Sequence, residues 1–231
     1  MTVLAEVLAG THRGPVFVPW VWELAAERAG LDVAGMTASA TALVAALQSA
    51  AELVESDAIT VLVGGPDGPP LEALRRLAVA APDDRPDRRE LVAVIPGPAA
   101  LGTRDGHADP DDRDEAAEDL ARAVLEARPG VLALDEPEPD PDTTTCYRTI
   151  VRLAGYYGAR TLVIAPPARA GFLTEAGIDA VVDPAAGATG AADRLVTSSW
   201  APRPGGGDAA GLRARSRQVR AAREEVASRC P

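Results

Sequence analysis

Carboxylates stand where the apolar runs of this chain stop. Asp67 follows AITVLVGG, Asp135 and Glu136 close VLALDEP, and Asp183 closes AVVDP, while Trp20, Trp22 and Glu23 come directly after PVFV. Two carboxyl groups can divide acid and base work when their surroundings push their pKa values apart, and they can also hold a hard cation. Asp135 and Glu136 are adjacent, so on a strand they face opposite sides; Trp20 and Trp22, two apart, share one side. The expectation is an acidic pocket with an aromatic wall, in which Asp135 and Asp183, both at strand ends, are the strongest functional candidates. Helix capping and solvation are the plain alternative for the carboxylates, and core packing is the plain alternative for the tryptophans.

Other chemistry finds less support. His12 and His107 lack neighbours at metal-binding spacing, and Ser198-Ser199 lacks a Gly-flanked elbow. Cys146 falls on the first turn of a helix with no paired His, so it reads as packed, not reactive. With Cys146 and Cys230 as the only cysteines, neither a disulfide framework nor a Cys-based zinc site can be assembled within the chain. No GxGxxG follows a strand, and a GxxxxGK loop is excluded because the chain contains no Lys.

The elements that would position these residues repeat in one direction. AITVLVGGPD, LVAVIPGP, VLALDEP, TLVIAPP and AVVDP are short apolar runs ending in Pro, Gly or acid, separated by stretches of helical spacing. They read as buried parallel strands joined by helical crossovers, an arrangement that binds ligands at the carboxyl ends of the strands. PVFVPW and LVTSSW bring the strand candidates to seven. GTRDGHADPDDR, residues 102–113, reads as a mobile loop with Asp114 capping the next helix, and 201–207 as a flexible connector before an Arg-rich helix over about 208–228. Periodicity does not separate an open sheet from a barrel.

At 231 residues and 47% hydrophobic content the chain suits a single domain, 1–231. A formal charge of −11, with 34 acids against 23 bases that are all Arg, would repel nucleic-acid phosphates. No run approaches the roughly 20 apolar residues of a membrane span, and no basic leader precedes an apolar stretch at the N-terminus. A cytoplasmic protein binding neither nucleic acid nor membrane is expected.

Taken in order, MTVLAEVLAGTHRGPVFVPW, TALVAALQSAAELVESDAITVL and LVAVIPGPAAL resemble the uroporphyrinogen decarboxylase family and its relatives, the corrinoid methyltransferases. AEDLARAVLEARPGVLALDEP and CYRTIVRLAGYYGARTLVIAPPARAGFLTEAGIDAVVDP continue the likeness. The resemblance implies an α/β fold, a TIM-type (β/α) barrel with a pocket at the carboxyl ends of its strands. There the family handles tetrapyrroles or methyl groups carried by corrinoids and thiols, as a lyase or a methyltransferase. The chain departs from the family at the chemistry. VPWVWEL stands where the decarboxylases carry two arginines, Gly64-Gly65 stand near the family's aspartate with Asp67 two residues beyond, and IAPPA stands where the methyltransferases place a His-x-Cys zinc pair. No cofactor or metal is therefore expected. The stretch between AVVDP and LVTSSW is short by one βα unit, which leaves about seven strands and an exposed gap across which a homodimer could form. Two readings stay open. One is an enzyme with Asp67 and Asp135 catalytic and Trp20, Trp22, Glu136 and Asp183 binding a small molecule such as a tetrapyrrole; the other is a non-catalytic member binding a small ligand or a partner protein.

Overall fold

Every apolar run singled out above forms a strand, and helices join five of them in one direction. The computed structural model describes residues 3–11, 14–80, 89–105, 109–166, 171–183, 187–189, 195–197 and 209–228. The elements in order are α1 (Val3–Leu8), β1 (Val16–Val18), α2 (Trp22–Arg28), α3 (Val33–Thr37), α4 (Ala40–Leu53), β2 (Ala58–Leu62), α5 (Pro69–Ala80), β3 (Glu90–Pro96), α6 (Pro98–Asp105), α7 (Pro110–Leu125) and β4 (Val131–Asp135). A short 3-10 turn (Pro141–Thr143) then leads into α8 (Thr144–Tyr157), followed by β5 (Arg160–Ile164), α9 (Gly171–Glu175), β6 (Ala180–Asp183), β7 (Gly187–Thr189), β8 (Leu195–Thr197) and α10 (Ala209–Ser228). No helix among the described residues is long and apolar enough to cross a membrane.

Strands β2, β3, β4, β5 and β6 pair in that order, all parallel, and β7 adds an antiparallel edge to β6. Strand β1 pairs in parallel with β8. The chain is thus an α/β fold with a parallel sheet flanked by helices. Between AVVDP and LVTSSW, where one βα unit was expected to be missing, the described residues contain one three-residue strand, β7, that turns back along β6.

Two cores follow from the alternation of side chains along the strands. On the outer face Ile59, Val61, Leu91, Ala93, Ile95, Leu132, Leu134 and Val163 pack against the apolar stripes of α2, α4, α5, α7 and α8. On the inner face Ala58, Val92, Val94, Val131, Ala133, Leu162, Ile164, Ala180 and Val182 form a smaller cluster with Val16 and Val18 of β1 and Leu4, Val7 and Leu8 of α1. Strand β1 and helix α1 thus pack against the inner face of the parallel sheet.

Strand β1 is fastened to β2 mainly through side chains. Phe17 N donates to Asp57 Oδ2 at 2.8 Å, and Asp57 N returns a bond to Phe17 O at 3.0 Å. Ser56 Oγ donates to Ala58 O at 2.6 Å, and Trp22 Nε1 donates to Thr60 O at 3.0 Å. Ser56 and Trp22 thereby occupy the Ala58 and Thr60 carbonyls of β2. Helix α10 docks at the segment that leads into β2: Arg213 Nε donates to Leu53 O at 2.9 Å, and Arg220 pairs with Glu55 at 3.3 Å. A cation suits the carbonyl end of α4.

The segment 102–113, expected as a loop, is largely helical where it is described. Helix α6 continues to Asp105, and α7 starts at Pro110 with Asp109 as its N-cap, the Asp109 carboxylate accepting from Asp111 N at 2.9 Å. Asp109-Pro110 is a strong start signal, a capping carboxylate followed by a residue with preset φ. Asp114 is consequently a residue within α7 and caps nothing. Residues 106–108 and the expected connector 201–207 lie outside the described residues.

Trp22→Phe should test the β1–β2 fastening. Losing the indole N–H leaves a buried carbonyl at Thr60 unpaired, and a loss of about 1–3 kcal/mol is expected from urea denaturation; a variant as stable as the parent would show that the bond holds nothing.

Candidate functional site

The carboxyl end of the sheet is organised by one transverse row, Pro96–Asp135–Ile164–Val182, the last paired row of β3 to β6. Past it the ladder runs one step further: Gly97 N donates to Asp135 O at 2.9 Å, Glu136 N to Ile164 O at 3.0 Å and Ala165 N to Val182 O at 3.0 Å. Asp135 shares the parity of Val131 and Ala133, so it belongs to the inner side. It is open to solvent, yet the protein around it raises its carboxyl above the usual carboxylate range by desolvation.

Trp20 forms the wall on the β1 side. It is half-buried, packs against both cores, and stacks on Trp22 with ring centroids 5.9 Å apart and planes inclined by 19°. Its Nε1 donates to Glu23 Oε1 at 3.3 Å. The two rings do not share one side of a strand as expected, because β1 ends at Val18 and Trp22 is the first residue of α2. Trp22 is buried and spends its N–H on Thr60, which makes it a packing residue, while Trp20 keeps an exposed edge.

Glu136 lies on the other side of the sheet. It is fully buried, and its carboxyl group accepts from Ala99 N at 3.0 Å, Ala100 N at 3.1 Å and Tyr147 Oη at 3.0 Å. Two of these donors are first-turn amides of α6, whose positive end suits a carboxylate. Burial pushes the Glu136 carboxyl up to about 7, while the Tyr147, Ala99 and Ala100 bonds pull it down. The same surroundings raise the Tyr147 phenol, first by burial and then by the Glu136 charge. Gly97 is required beside it, since a Cβ there would fall on the carboxyl group, 2.8 Å from Glu136 Cδ.

An outer cleft of about 810 Å³ opens beside this buried carboxyl group, between the first turns of α6 and the segment Glu136–Pro141. Arg113 of α7 reaches into it, 3.4 Å from Asp114 and 3.6 Å from Asp140. Cys146 lies behind, buried, its thiol bonded to Asp114 O at 3.6 Å and raised by burial, so it has no thiolate character.

The expected site residues thus divide. Asp135 and Trp20 belong to the inner rim, and Asp183 stands half-buried at the end of β6, two strands from Asp135. Asp67 is exposed in the turn between β2 and α5. Glu136 and Trp22 are turned away from the inner rim into the packing. Sequence reasoning missed Gly97, Tyr147 and Arg113; the Gly97-Pro98 break after LVAVIP carried a signal, but a partner 39 residues further on does not show in local spacing. Among the described residues no group of three or more His, Cys, Asp or Glu side chains is gathered to hold a metal ion.

No protein-family model matches the sequence, and no curated protein matches it. Among solved structures the fold is similar to that of a methyltransferase from Methanosarcina mazei, 15% identical, with a TM-score of 0.63 over 94% of this chain and 89% of that one. Looser overlaps occur with a candidate α-L-fucosidase from Bacteroides thetaiotaomicron, 12% identical with a TM-score of 0.45 over 83% of this chain and 68% of that one. A candidate lyase/mutase from Burkholderia cenocepacia is 15% identical, with a TM-score of 0.44 over 98% of this chain and 86% of that one. At this identity the methyltransferase likeness is one of fold alone, and it does not single out the uroporphyrinogen decarboxylases.

Gly97→Ala should destabilise the fold by about 1–3 kcal/mol through overpacking. Glu136→Gln in the same background should not rescue it, since the added methyl meets the side chain whatever its charge. Chemical denaturation reads both values, and a neutral Gly97→Ala would mean that the carboxyl group has somewhere else to sit.

Proposed function

We propose that this chain is a divergent relative of the uroporphyrinogen decarboxylase and corrinoid methyltransferase proteins that binds a small, largely apolar ligand at the inner rim of its sheet. In this reading the strands form a (β/α) barrel closed through β1 and β8. The ligand lies against Trp20, with Asp135 as the group that accepts its N–H donors or exchanges a proton with it. The observation that carries the reading is the position of Asp135: a carboxyl group at the end of the central strand, open to solvent, on the side otherwise lined by Val, Ala and Leu. Desolvation raises the Asp135 carboxyl from its ordinary value, a shift toward the protonated form that a proton donor needs.

Asp183 and Asp67 stand further out on the same end of the fold and are assigned supporting roles, Asp183 in contact with the ligand edge and Asp67 as an acid reached only through its loop. A tetrapyrrole is the ligand class that suits the rim chemistry best, since its pyrrole N–H groups pair with a carboxylate and its ring stacks on an indole. An acidic rim disfavours ligands with many carboxylates, so an uncharged or few-carboxylate macrocycle fits better than one bearing eight.

The test uses coproporphyrin and uroporphyrin as probes, followed by tryptophan fluorescence, and uroporphyrinogen as the substrate for turnover with chromatographic detection of coproporphyrinogen. Saturable quenching by coproporphyrin is expected, with affinity reduced at least about tenfold, 1.4 kcal/mol, in Asp135→Ala and in Trp20→Ala. Turnover abolished by Asp135→Asn would make the protein a lyase. Binding without turnover would make it a non-catalytic member of the same group. Binding that survives both substitutions unchanged, or no saturable binding at all, would reject the inner rim as the site.

A further inference from the structure

Among the described residues, buried polar side chains are paired with one exception. Ser56, Glu90, Glu136, Thr143, Thr161 and Ser216 each hold at least one hydrogen bond. Thr60 is buried as deeply, at 1% exposure, and its hydroxyl has no partner among the described residues. A buried hydroxyl without a partner costs free energy that valine, of nearly the same shape, would not. An exception of this kind calls for an account in the site around it.

Thr60 shares the parity of Ala58 and Leu62 on β2, so its side chain belongs to the inner face, and its row continues through Val92 and Val131. Ala58, Val92 and Val131 are members of the inner cluster, against which the partly buried Trp20 and Leu62 pack. Thr60 adjoins both of these. It precedes Leu62 by two residues on the same face, and its carbonyl accepts the N–H of Trp22, on whose ring Trp20 is stacked. Its hydroxyl is therefore the first polar side-chain group met along the inner face of β2 on going inward from the aromatic wall.

We propose that the Thr60 hydroxyl is the inner hydrogen-bonding contact of the rim ligand, and that it selects a ligand whose apolar body carries a neutral hydroxyl or carbonyl oxygen. The inference rests on the inner-rim reading and adds to it the chemistry of the ligand's covered end. That oxygen must be neutral, because a charged atom carried among Val, Ala and Leu would give up its hydration for a single hydroxyl partner. A hydroxyl both donates and accepts, so an alcohol or a carbonyl pairs with it equally well. The Asp135 row lies two inward-facing positions nearer the carboxyl end than the Thr60 row. The two residues thus meet different atoms of the ligand, Asp135 its N–H donors at the open rim and Thr60 an oxygen in the covered part. Leu62 stands between Thr60 and the rim, and a change of its rotamer, of the kind that commonly accompanies binding, admits the oxygen.

Haematoporphyrin and mesoporphyrin are matched probes, alike except that hydroxyethyl groups of the first are ethyl groups in the second. Titrations followed by tryptophan fluorescence should show the parent chain binding haematoporphyrin about tenfold more tightly, 1.4 kcal/mol. Thr60→Val should lose that preference by weakening haematoporphyrin alone, and Thr60→Ser should keep it. Without ligand, Thr60→Val should move the urea midpoint upward, since it removes an unpaired buried group. Equal binding of the two porphyrins by the parent, or a preference that survives in Thr60→Val, would overturn the contact and leave the rim reading standing. No saturable binding of either porphyrin would reject the rim and the contact together. A lowered midpoint in Thr60→Val would show that the hydroxyl is already bonded within the fold, and would overturn the contact as well.

Discussion

Placing a carboxyl group inside the fold is the constraint around which the carboxyl end of this sheet is arranged. An ion removed from water costs several kcal/mol unless donors replace the lost solvent, and Glu136 has three donors within 3.1 Å. Two of them exist only if α6 begins at Pro98, directly after β3, so that its open amides face β4. The third exists only if α8 carries Tyr147 one turn from its start. Gly97 must then lack a side chain, because the carboxyl group occupies the space that its Cβ would need. One interaction thus fixes how the connections after β3 and β4 leave the sheet, and it sets the peptide that carries Asp135.

A second constraint acts at the other edge. A parallel strand at the rim of a sheet exposes backbone groups that invite pairing with another chain. Strand β2 meets β1 there through Asp57, Ser56 and Trp22, whose side chains bond backbone groups of β1 and β2. Thr60 illustrates the division: its carbonyl takes the Trp22 indole N–H, while its hydroxyl is buried and has no hydrogen-bond partner among the described residues. The stacking of Trp20 on Trp22 links this fastening to the inner rim, so the aromatic wall is held by the same residues that attach β1.

The strands were legible because burial on both faces turns a parallel strand into an apolar run, whatever the rest of the fold does. The alternation that puts Asp135 and Glu136 on opposite sides was legible for the same reason. Trp22 was misread because two-residue spacing assumes that a strand continues, and here β1 ends at Val18. Residues 102–113 were misread because turn-forming residues also cap helices, and Asp109-Pro110 does so. The role of Glu136 was beyond local reading altogether: its partners stand 37 and 36 residues earlier and 11 later. A buried carboxylate and an exposed one look alike in sequence, since what distinguishes them is where distant amides and a phenol have been brought.

Adjacent acids at one strand end therefore do opposite kinds of work. Side-chain alternation sends Glu136 outward, where donors and burial bind it into the packing, and sends Asp135 inward, where its side chain is open to solvent. The register that joins Pro96, Asp135, Ile164 and Val182 is a backbone property, and a frame of this kind can be shared with a methyltransferase at 15% identity. The rim side chains are not constrained in that way. A strand end can exchange its polar residues so long as the apolar row beneath it and the buried anchor beside it remain, because neither depends on what the exposed acid touches.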